Sequence, residues 1–361
     1  MPTPLSILQG RGTPLDPPNR FEPLDLEPDG DTLEHDRAEG GLTPPRPATR
    51  YLHDRSRSIV VHNDSPDVGF EFSVNPYRGC EHGCIYCYAR PGHEYLGWSA
   101  GLDFESRIMV KLDAPRLLAR ELAKPGWQPT PIAFAGVTDV YQPVERRLGI
   151  TRQCLKVCRD FRNPLSVITK SALIQRDIDL LAEMARRQLC IAFLSVTTLD
   201  NDLSARMEPR ASAPRARLEA VRALASAGIP TGVMVAPVVP GLTDHEIPRI
   251  LRAAADAGAS FAGYIVLRLP YAVKALFSDW LARHFPDRRE KVLNRVRELR
   301  RGKLNDPEFR TRMRGQGPWA EQFKVMFDLS RRRAGLDRPP PQLSTEHFRQ
   351  IDPIQPMLWD S

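Results

Sequence analysis

From about residue 70 the chain alternates between short runs rich in β-branched and aromatic residues and longer segments whose apolar positions recur every three or four residues. The short runs fall at 71–75, 131–137, 165–169, 190–197, 231–236 and 261–267, and the helical patterns between and after them at 114–123, 151–161, 178–188, 214–227, 246–257 and 272–284. Punctuation supports the assignment. Pro214 opens one helix and Gly228 closes it, and Thr243-Asp244 ahead of His245-Glu246 reads as an N-cap with acid in the first turn. Six successive strand-then-helix units require parallel strands joined by right-handed crossovers. The predicted architecture is therefore a β/α barrel, complete or partial, or an open doubly wound sheet. Beyond Pro286 the pattern is helical and different, with one apolar stripe at Val292, Leu293, Val296 and Leu299 and another at Trp319, Phe323, Met326 and Phe327. These stripes read as core contacts of a C-terminal subdomain packed on the barrel, and residues 334–361 as a loosely structured tail.

The first fifty residues break this order. They hold ten prolines interleaved with acids and lack apolar periodicity, so they read as an extended, largely disordered arm. Two stretches within it, 9–13 and 19–22, have the makings of segments clamped onto a folded body. The expected organisation is an arm over 1–50, a barrel over 51–285 and a basic helical subdomain with tail over 286–361. At 361 residues, 42% hydrophobic and 26% charged, the composition excludes wholesale disorder. The longest apolar stretch, 229–242, is interrupted by Pro230, Pro237 and Pro240, so no membrane span is expected, and the N-terminus lacks the order of a signal peptide. The expectation is a cytoplasmic protein with no membrane partner. Net charge is +7, but residues 1–50 carry −4 and residues 286–340 carry +8, from sixteen Lys or Arg against eight acids. That basic region suits a polyanion such as nucleic acid, or forms a solvated helix face.

Six cysteines are too few for a disulfide scaffold at this length, and three of them, Cys80, Cys84 and Cys87, crowd into eight residues directly after the first predicted strand. The spacing is Cys-x3-Cys-x2-Cys. Three thiolates on one short loop can hold three irons of a [4Fe–4S] cubane and leave the fourth open, with Gly79 and Gly83 letting the backbone fold closely around it. A structural Cys3His zinc site recruiting His82 or His93, and plain burial of small apolar cysteines, are the alternatives that spacing leaves open.

The segment, with aromatic Tyr86 just before the third cysteine, resembles the cluster loop of the radical S-adenosylmethionine superfamily, whose motif is Cys-x3-Cys-x-aromatic-Cys on a partial (β/α)6 TIM-like barrel. The resemblance extends over residues 70–270. It implies a [4Fe–4S] cluster whose open iron takes S-adenosylmethionine, an electron supplied by a partner such as flavodoxin or ferredoxin, and a 5′-deoxyadenosyl radical as the product of cleavage. Within the superfamily the chain is similar to the spore photoproduct lyase-like, or DNA repair photolyase-like, branch. That likeness implies Cys80, Cys84 and Cys87 as cluster ligands and Tyr86 and Tyr88 as radical-relay tyrosines, with Tyr86 also a cofactor contact. It further implies Thr138 and Asp139 at the methionyl amine, Lys170 at the cofactor carboxylate, and Ser195 at the ribose or carboxylate. All of these sit at or just beyond C-terminal strand ends, where barrel enzymes assemble their sites.

One position departs from the branch. The lyase cysteine that returns a hydrogen atom stands two residues before the serine contact, and here that place is Gly136. Cys154, Cys158 and Cys190 are the other thiols, read as buried small hydrophobes. Further polar residues follow strand ends: Asp139, Tyr141, Gln142 and Glu145, then Glu208 and Arg210, then Arg268, with His93 and Glu94 soon after the cluster loop. Arg268 offers a bidentate donor for phosphate or carboxylate, or an internal pair with Glu208 or Glu145. Three functional readings result: a radical enzyme acting on nucleic acid, the same chemistry on a peptide or small metabolite, and a non-catalytic cluster- or zinc-bearing nucleic-acid-binding protein.

Overall fold

The computed structural model describes residues 10–21 and 48–351. Six parallel strands form its centre: β3 (Phe72–Val74), β6 (Ile132–Phe134), β7 (Leu165–Thr169), β8 (Cys190–Ser195), β9 (Thr231–Val238) and β10 (Phe261–Val266). They lie side by side in chain order, and β2 (Val60–His62) adds an antiparallel strand beyond β3. A second, small sheet joins β1 (Arg50–His53), β5 (Arg107–Val110) and β4 (Tyr77–Arg78). Burial follows from the connections. Helices between parallel strands cover the outer face, so Ile132, Phe134, Leu165, Val167, Leu194, Val233 and Val235 are almost wholly enclosed. This is a partial TIM-like barrel, as the resemblance implies and as one of the architectures that the sequence pattern allows.

Among the described residues the barrel does not close by strand pairing. Its open side is bridged by the segment after the penultimate helix, where the Val266 N–H donates to the Met313 carbonyl (2.9 Å) and Arg312 donates to Ser65 Oγ (2.6 Å) and to Asp67. The loop between β2 and β3 is thereby tied to the end of β10.

The intervening helices match the periodic segments: α1 (Ala114–Leu122), α2 (Ile150–Phe161), α3 (Ile178–Ala185), α4 (Pro214–Ser226), α5 (Ile247–Asp256) and α6 (Val273–His284). Pro214 does sit in the first turn of α4, and Gly228 follows it at φ 76°. The expected Thr243 cap is not made. A 3-10 turn, Asp244–Glu246, precedes α5, and the Thr243 hydroxyl instead accepts from the Val239 N–H at 2.9 Å. Helix α7 (Pro286–Leu299) buries Val292, Leu293 and Val296 against Trp280 and the cysteine-loop residues Ile85 and Tyr86, while α8 (Pro318–Arg333) buries Phe323 and Phe327 in the main core. Both apolar stripes thus brace the barrel.

Residues 10–21 run along the barrel's surface, with Gly12 and Thr13 buried. The remainder of the expected disordered arm, residues 1–9 and 22–47, and the last ten residues of the tail lie outside the described residues, Gln9 and Glu22 among them. Among the described residues no helix is long and apolar enough to cross a membrane.

Candidate active site

The cysteine loop leaves β4 through Gly79 and turns again at Gly83, both at positive φ (79° and 67°). A Cβ at Gly83 would stand 2.7 Å from a Glu105 carboxylate oxygen, so only glycine fits this crossing. Cys80 and Cys84 are buried, Cys87 half-buried, and all three line one cavity of about 510 Å³. Burial pushes each thiol upward, and the three oppose one another's ionisation at Cys80. A donor set of this kind needs a cationic centre to make its thiolate form favourable. Among the described residues no three His, Cys, Asp or Glu groups converge tightly enough for a single ion. One tetrahedral zinc would need sulfurs within about 4 Å of each other, given Zn–S bonds of about 2.3 Å. Both histidines of the Cys3His alternative are also engaged elsewhere. His82 Nδ1 faces Asp139 Oδ2 at 3.4 Å, and His93 is packed between Trp98 and Phe104. Three soft thiols lining one cavity are a donor set that suits an iron–sulfur cluster.

What holds the loop was not legible from the motif. Arg90, fully buried, donates to the carbonyls of Cys84 (3.0 Å), Gly83 (3.3 Å), Ala100 (3.3 Å) and Gly101 (2.8 Å) and to the Glu105 carboxylate (2.5 Å). Glu105, equally buried, also accepts from the Gly12 N–H at 2.9 Å. The arm residues therefore form the outer wall of the loop. Asn19 and Arg20 extend this wall onto Glu94, through Asn19 Nδ2 to the Glu94 carbonyl (2.8 Å) and Arg20 Nε to its carboxylate (2.6 Å).

On the inner side, Tyr86 is buried and its hydroxyl donates to Glu208, with Thr197 Oγ1 3.3 Å away. Glu208 also binds Arg217 and the Thr197 hydroxyl (2.6 Å). Burial alone would raise the Glu208 carboxyl, but Arg217 and Lys170 outweigh it and hold it at about 2. Tyr86 is absent from the cavity lining, whereas Tyr88 is half-exposed within it and donates to the Gly136 carbonyl.

The cavity opens at the C-terminal ends of the strands, and Thr138, Asp139, Lys170 and Ser195 line it together with the cysteines. Thr138 donates to Asn75 Oδ1 (2.6 Å), whose amide returns to the Thr138 carbonyl (2.9 Å). Asp139 accepts from Thr169 Oγ1 (2.7 Å), the Tyr141 N–H (2.9 Å) and the Lys170 N–H (2.7 Å). Burial opposes its charge, yet His82 and these donors bring it to about 2. Asp139 thus ties three strand-end loops in register. Lys170 Nζ stands 5.9 Å over the Tyr86 ring, and the Ser195 carbonyl accepts from Arg217 (3.0 Å).

Other residues singled out from sequence serve the framework instead. Tyr141, Gln142 and Glu145 are fully enclosed: Glu145 pairs with Arg176 (2.7 Å), Tyr141 donates to Asp177 (3.0 Å), and Gln142 accepts from the Glu81 N–H (2.9 Å). Arg210 pairs with Glu81 at 2.9 Å. Cys154, Cys158 and Cys190 lie in the apolar core, away from the cavity. Sequence reasoning passed over Arg90, Glu105, Arg217 and Arg312. The sequence carries no signal for them: Glu105 lies between Asp103 and Arg107, and Arg312 between Arg310 and Arg314, in ordinary charged stretches.

The family model for the radical SAM superfamily matches residues 74–254. An uncharacterized protein of Mycobacterium tuberculosis is 35% identical over 80% of this chain and 82% of its own length. A radical SAM Nα-GlyT isomerase of Pseudomonas phage M6 is 27% identical over 56% of this chain and 40% of its own. Two solved structures of spore photoproduct lyase variants, the second with dinucleoside spore photoproduct, share the fold at 17% identity. Their TM-scores are 0.56 and 0.55, over 79% and 78% of both chains.

Proposed function

Because the chain belongs to the radical S-adenosylmethionine superfamily, we propose that Cys80, Cys84 and Cys87 hold its [4Fe–4S] cluster and that the enzyme acts on nucleic acid. The observation that carries the reading is one cavity of about 510 Å³ lined by the three thiols and by polar groups from the ends of β6, β7 and β8. When bound, the cluster and S-adenosylmethionine supply reductive cleavage of the sulfonium and a 5′-deoxyadenosyl radical. The chain's own residues bind and orient. Thr138 and Asp139 take the cofactor amine, Lys170 neutralises its carboxylate, and Ser195 contacts the ribose or carboxylate. Tyr86, anchored on Glu208 and Thr197, sets the angle of the loop beside Cys87. Tyr88 is the tyrosine that reaches the cavity, beside the Gly136 carbonyl. We assign the radical relay to these two tyrosines, with Tyr88 on the substrate side. The electron comes from a reductant of the flavodoxin or ferredoxin class.

Nucleic acid as substrate is supported by charge at the same end of the barrel. Two adjoining clefts, about 550 and 460 Å³, share His245 and Arg288 and are built from segments that follow β8 and β9 and from α7 and α8. Arg206, Arg249, Arg288 and Lys291 line them with side chains open to solvent and, among the described residues, no carboxylate partner. Arg295 stacks on Trp319 at 4.4 Å in the second cleft. Asp200, Asp202, Asp244 and Glu246 line the same clefts, Asp244 pairing with Arg295 at 3.3 Å, so it is the four exposed cations with the aromatic platform that suit a phosphate backbone. The neighbour of known structure that holds dinucleoside spore photoproduct is in keeping with this class. The test is oligothymidylate binding against salt. For single strands the slope of log affinity against log salt steepens by about 0.7 for each phosphate neutralised, so reversing Arg249, Arg288 and Lys291 to Glu should flatten the slope by about 2. An unchanged slope and affinity would refute the assignment.

A further inference from the structure

Arg268 leaves the end of β10 at the rim of the cysteine-lined cavity. Neither internal partner that the sequence offered it is used, because Glu208 is held by Arg217 and Glu145 by Arg176. Its guanidinium carbon stands 5.3 Å from the Tyr88 ring centroid, and Nη1 lies 3.6 Å from the Met313 sulfur. Its Nε is enclosed and meets no acceptor. Arg312 lines the same wall, but its charge is matched by Asp67, which also accepts from the Arg310 N–H. This end of the cavity therefore holds two guanidinium groups and one carboxylate. Burial, with Arg312 adding to it, works against the charge on Arg268, as expected of a cation without its counter-ion. An enclosed donor without an acceptor costs free energy unless something arrives to meet it. The cofactor-facing groups come from β6, β7 and β8, so the β10 side is left for the substrate.

We propose that Arg268 is the anion-binding element of a substrate subsite at the barrel rim, taking an oxyanion, either phosphate or carboxylate, with Tyr88 under its plane and Arg312 beside it. A guanidinium suits such a planar, two-oxygen partner better than an ammonium does. The proposal rests on the reading above only in that this cavity receives the substrate. A nucleic-acid phosphate is one source of the anion, and a metabolite or peptide carboxylate is the other.

The experiment is calorimetric titration of the cluster-loaded protein, in the presence of S-adenosylmethionine, with 5′-phosphorylated dithymidine, inorganic phosphate and succinate. Wild type is compared with Arg268→Ala and Arg268→Lys. The anion that belongs to the subsite should bind at least about ten-fold more weakly to Arg268→Ala, as for the loss of a charge-assisted hydrogen bond, with Arg268→Lys between the two. Dependence of the dinucleotide and phosphate on Arg268 assigns the source as phosphate, and dependence of succinate alone assigns it as carboxylate. The proposal is overturned if no probe binds wild type, or if every probe that binds is indifferent to Arg268→Ala at wild-type iron content. If Arg268→Ala loses iron, Arg268→Lys and Arg268→Gln decide by the same criterion. Phosphate or succinate binding that needs Arg268, with no dinucleotide binding to wild type, would sink the nucleic-acid reading and leave the subsite standing. Equal dinucleotide binding to wild type and Arg268→Ala, with no other probe depending on Arg268, would do the reverse.

Discussion

Replacing Arg90 by Met tests what keeps the cysteine loop in place. The guanidinium has no solvent exposure and binds four main-chain carbonyls, two of them at Gly83 and Cys84 inside the loop, together with the buried Glu105 carboxylate. Methionine fills much of the space but leaves the buried Glu105 carboxylate, among the described residues, with the Gly12 N–H and the nearby Arg11 charge, and orphans the carbonyls. Breaking a buried ion pair from one side costs about 3–5 kcal/mol, because the remaining charge stays desolvated. Unsatisfied carbonyls add to this, less than additively, since the loop can relax toward water. Against a total stability of about 5–15 kcal/mol the loss is large. The double replacement Arg90→Met with Glu105→Leu removes the stranded charge as well, and should recover about 1–3 kcal/mol of the single variant's loss. The assay is anaerobic urea denaturation of the cluster-loaded proteins, read beside iron per chain after reconstitution. Both quantities should fall in the single variant. A variant within 1 kcal/mol of wild type that binds a full complement of iron would refute the clamp.

Lys170→Ala should weaken S-adenosylmethionine binding by about 10- to 100-fold, as for the loss of a charge-assisted contact, at unchanged iron content; equilibrium dialysis showing wild-type affinity would make the lysine structural. His93 is buried between Trp98 and Phe104, and burial pushes it down to about 4. Its neutral form is the one the fold favours, so its contribution is complete above the unfolded value of about 6.5 and is lost as pH falls toward 4, worth about 3 kcal/mol. In His93→Phe the stability difference between pH 7 and pH 4 should shrink by that order in paired denaturation curves, and an identical pH dependence would contradict the burial argument. Gly12→Ala would set a Cβ 1.9 Å from the Gly83 carbonyl oxygen, whereas Gly92 has open space around it. Hydrogen exchange at residues 10–17 should therefore speed up in Gly12→Ala and not in Gly92→Ala; equal protection in both would mean that the arm does not depend on this close approach.

The six parallel strands and the helices between them were legible because the helices show their own period and the β/α units follow one another regularly in chain order, which marks even the three-residue β3 and β6. β9 runs two residues past its predicted end, through Pro237 to Val238. The strands β1, β2, β4 and β5 escaped notice, being two to four residues long and too short for alternation to register. At the site, the motif carried the cysteines, and the register of strand ends carried Thr138, Asp139, Lys170 and Ser195 to one cavity. The supports around them were not legible. Arg90 and Glu105 meet across a loop whose path no periodicity records, and Arg312 reaches Asp67 from the far end of the barrel. The arm was legible in part: the stretch 9–13 reads as one able to clamp onto a folded body, and Gly12 and Thr13 are buried, but that the Gly12 N–H meets Glu105 beside the cysteine loop is a contact no local pattern records.

The central claim is that the three cysteines serve a cluster that cleaves S-adenosylmethionine. Its most direct test is 5′-deoxyadenosine formation by anaerobically reconstituted, chemically reduced protein supplied with S-adenosylmethionine, beside the triple Cys80, Cys84, Cys87→Ala variant. The account predicts 5′-deoxyadenosine from the wild type and none from the triple variant. Equal formation by both, or a triple variant that keeps the iron and the visible absorbance of the wild type, would contradict it.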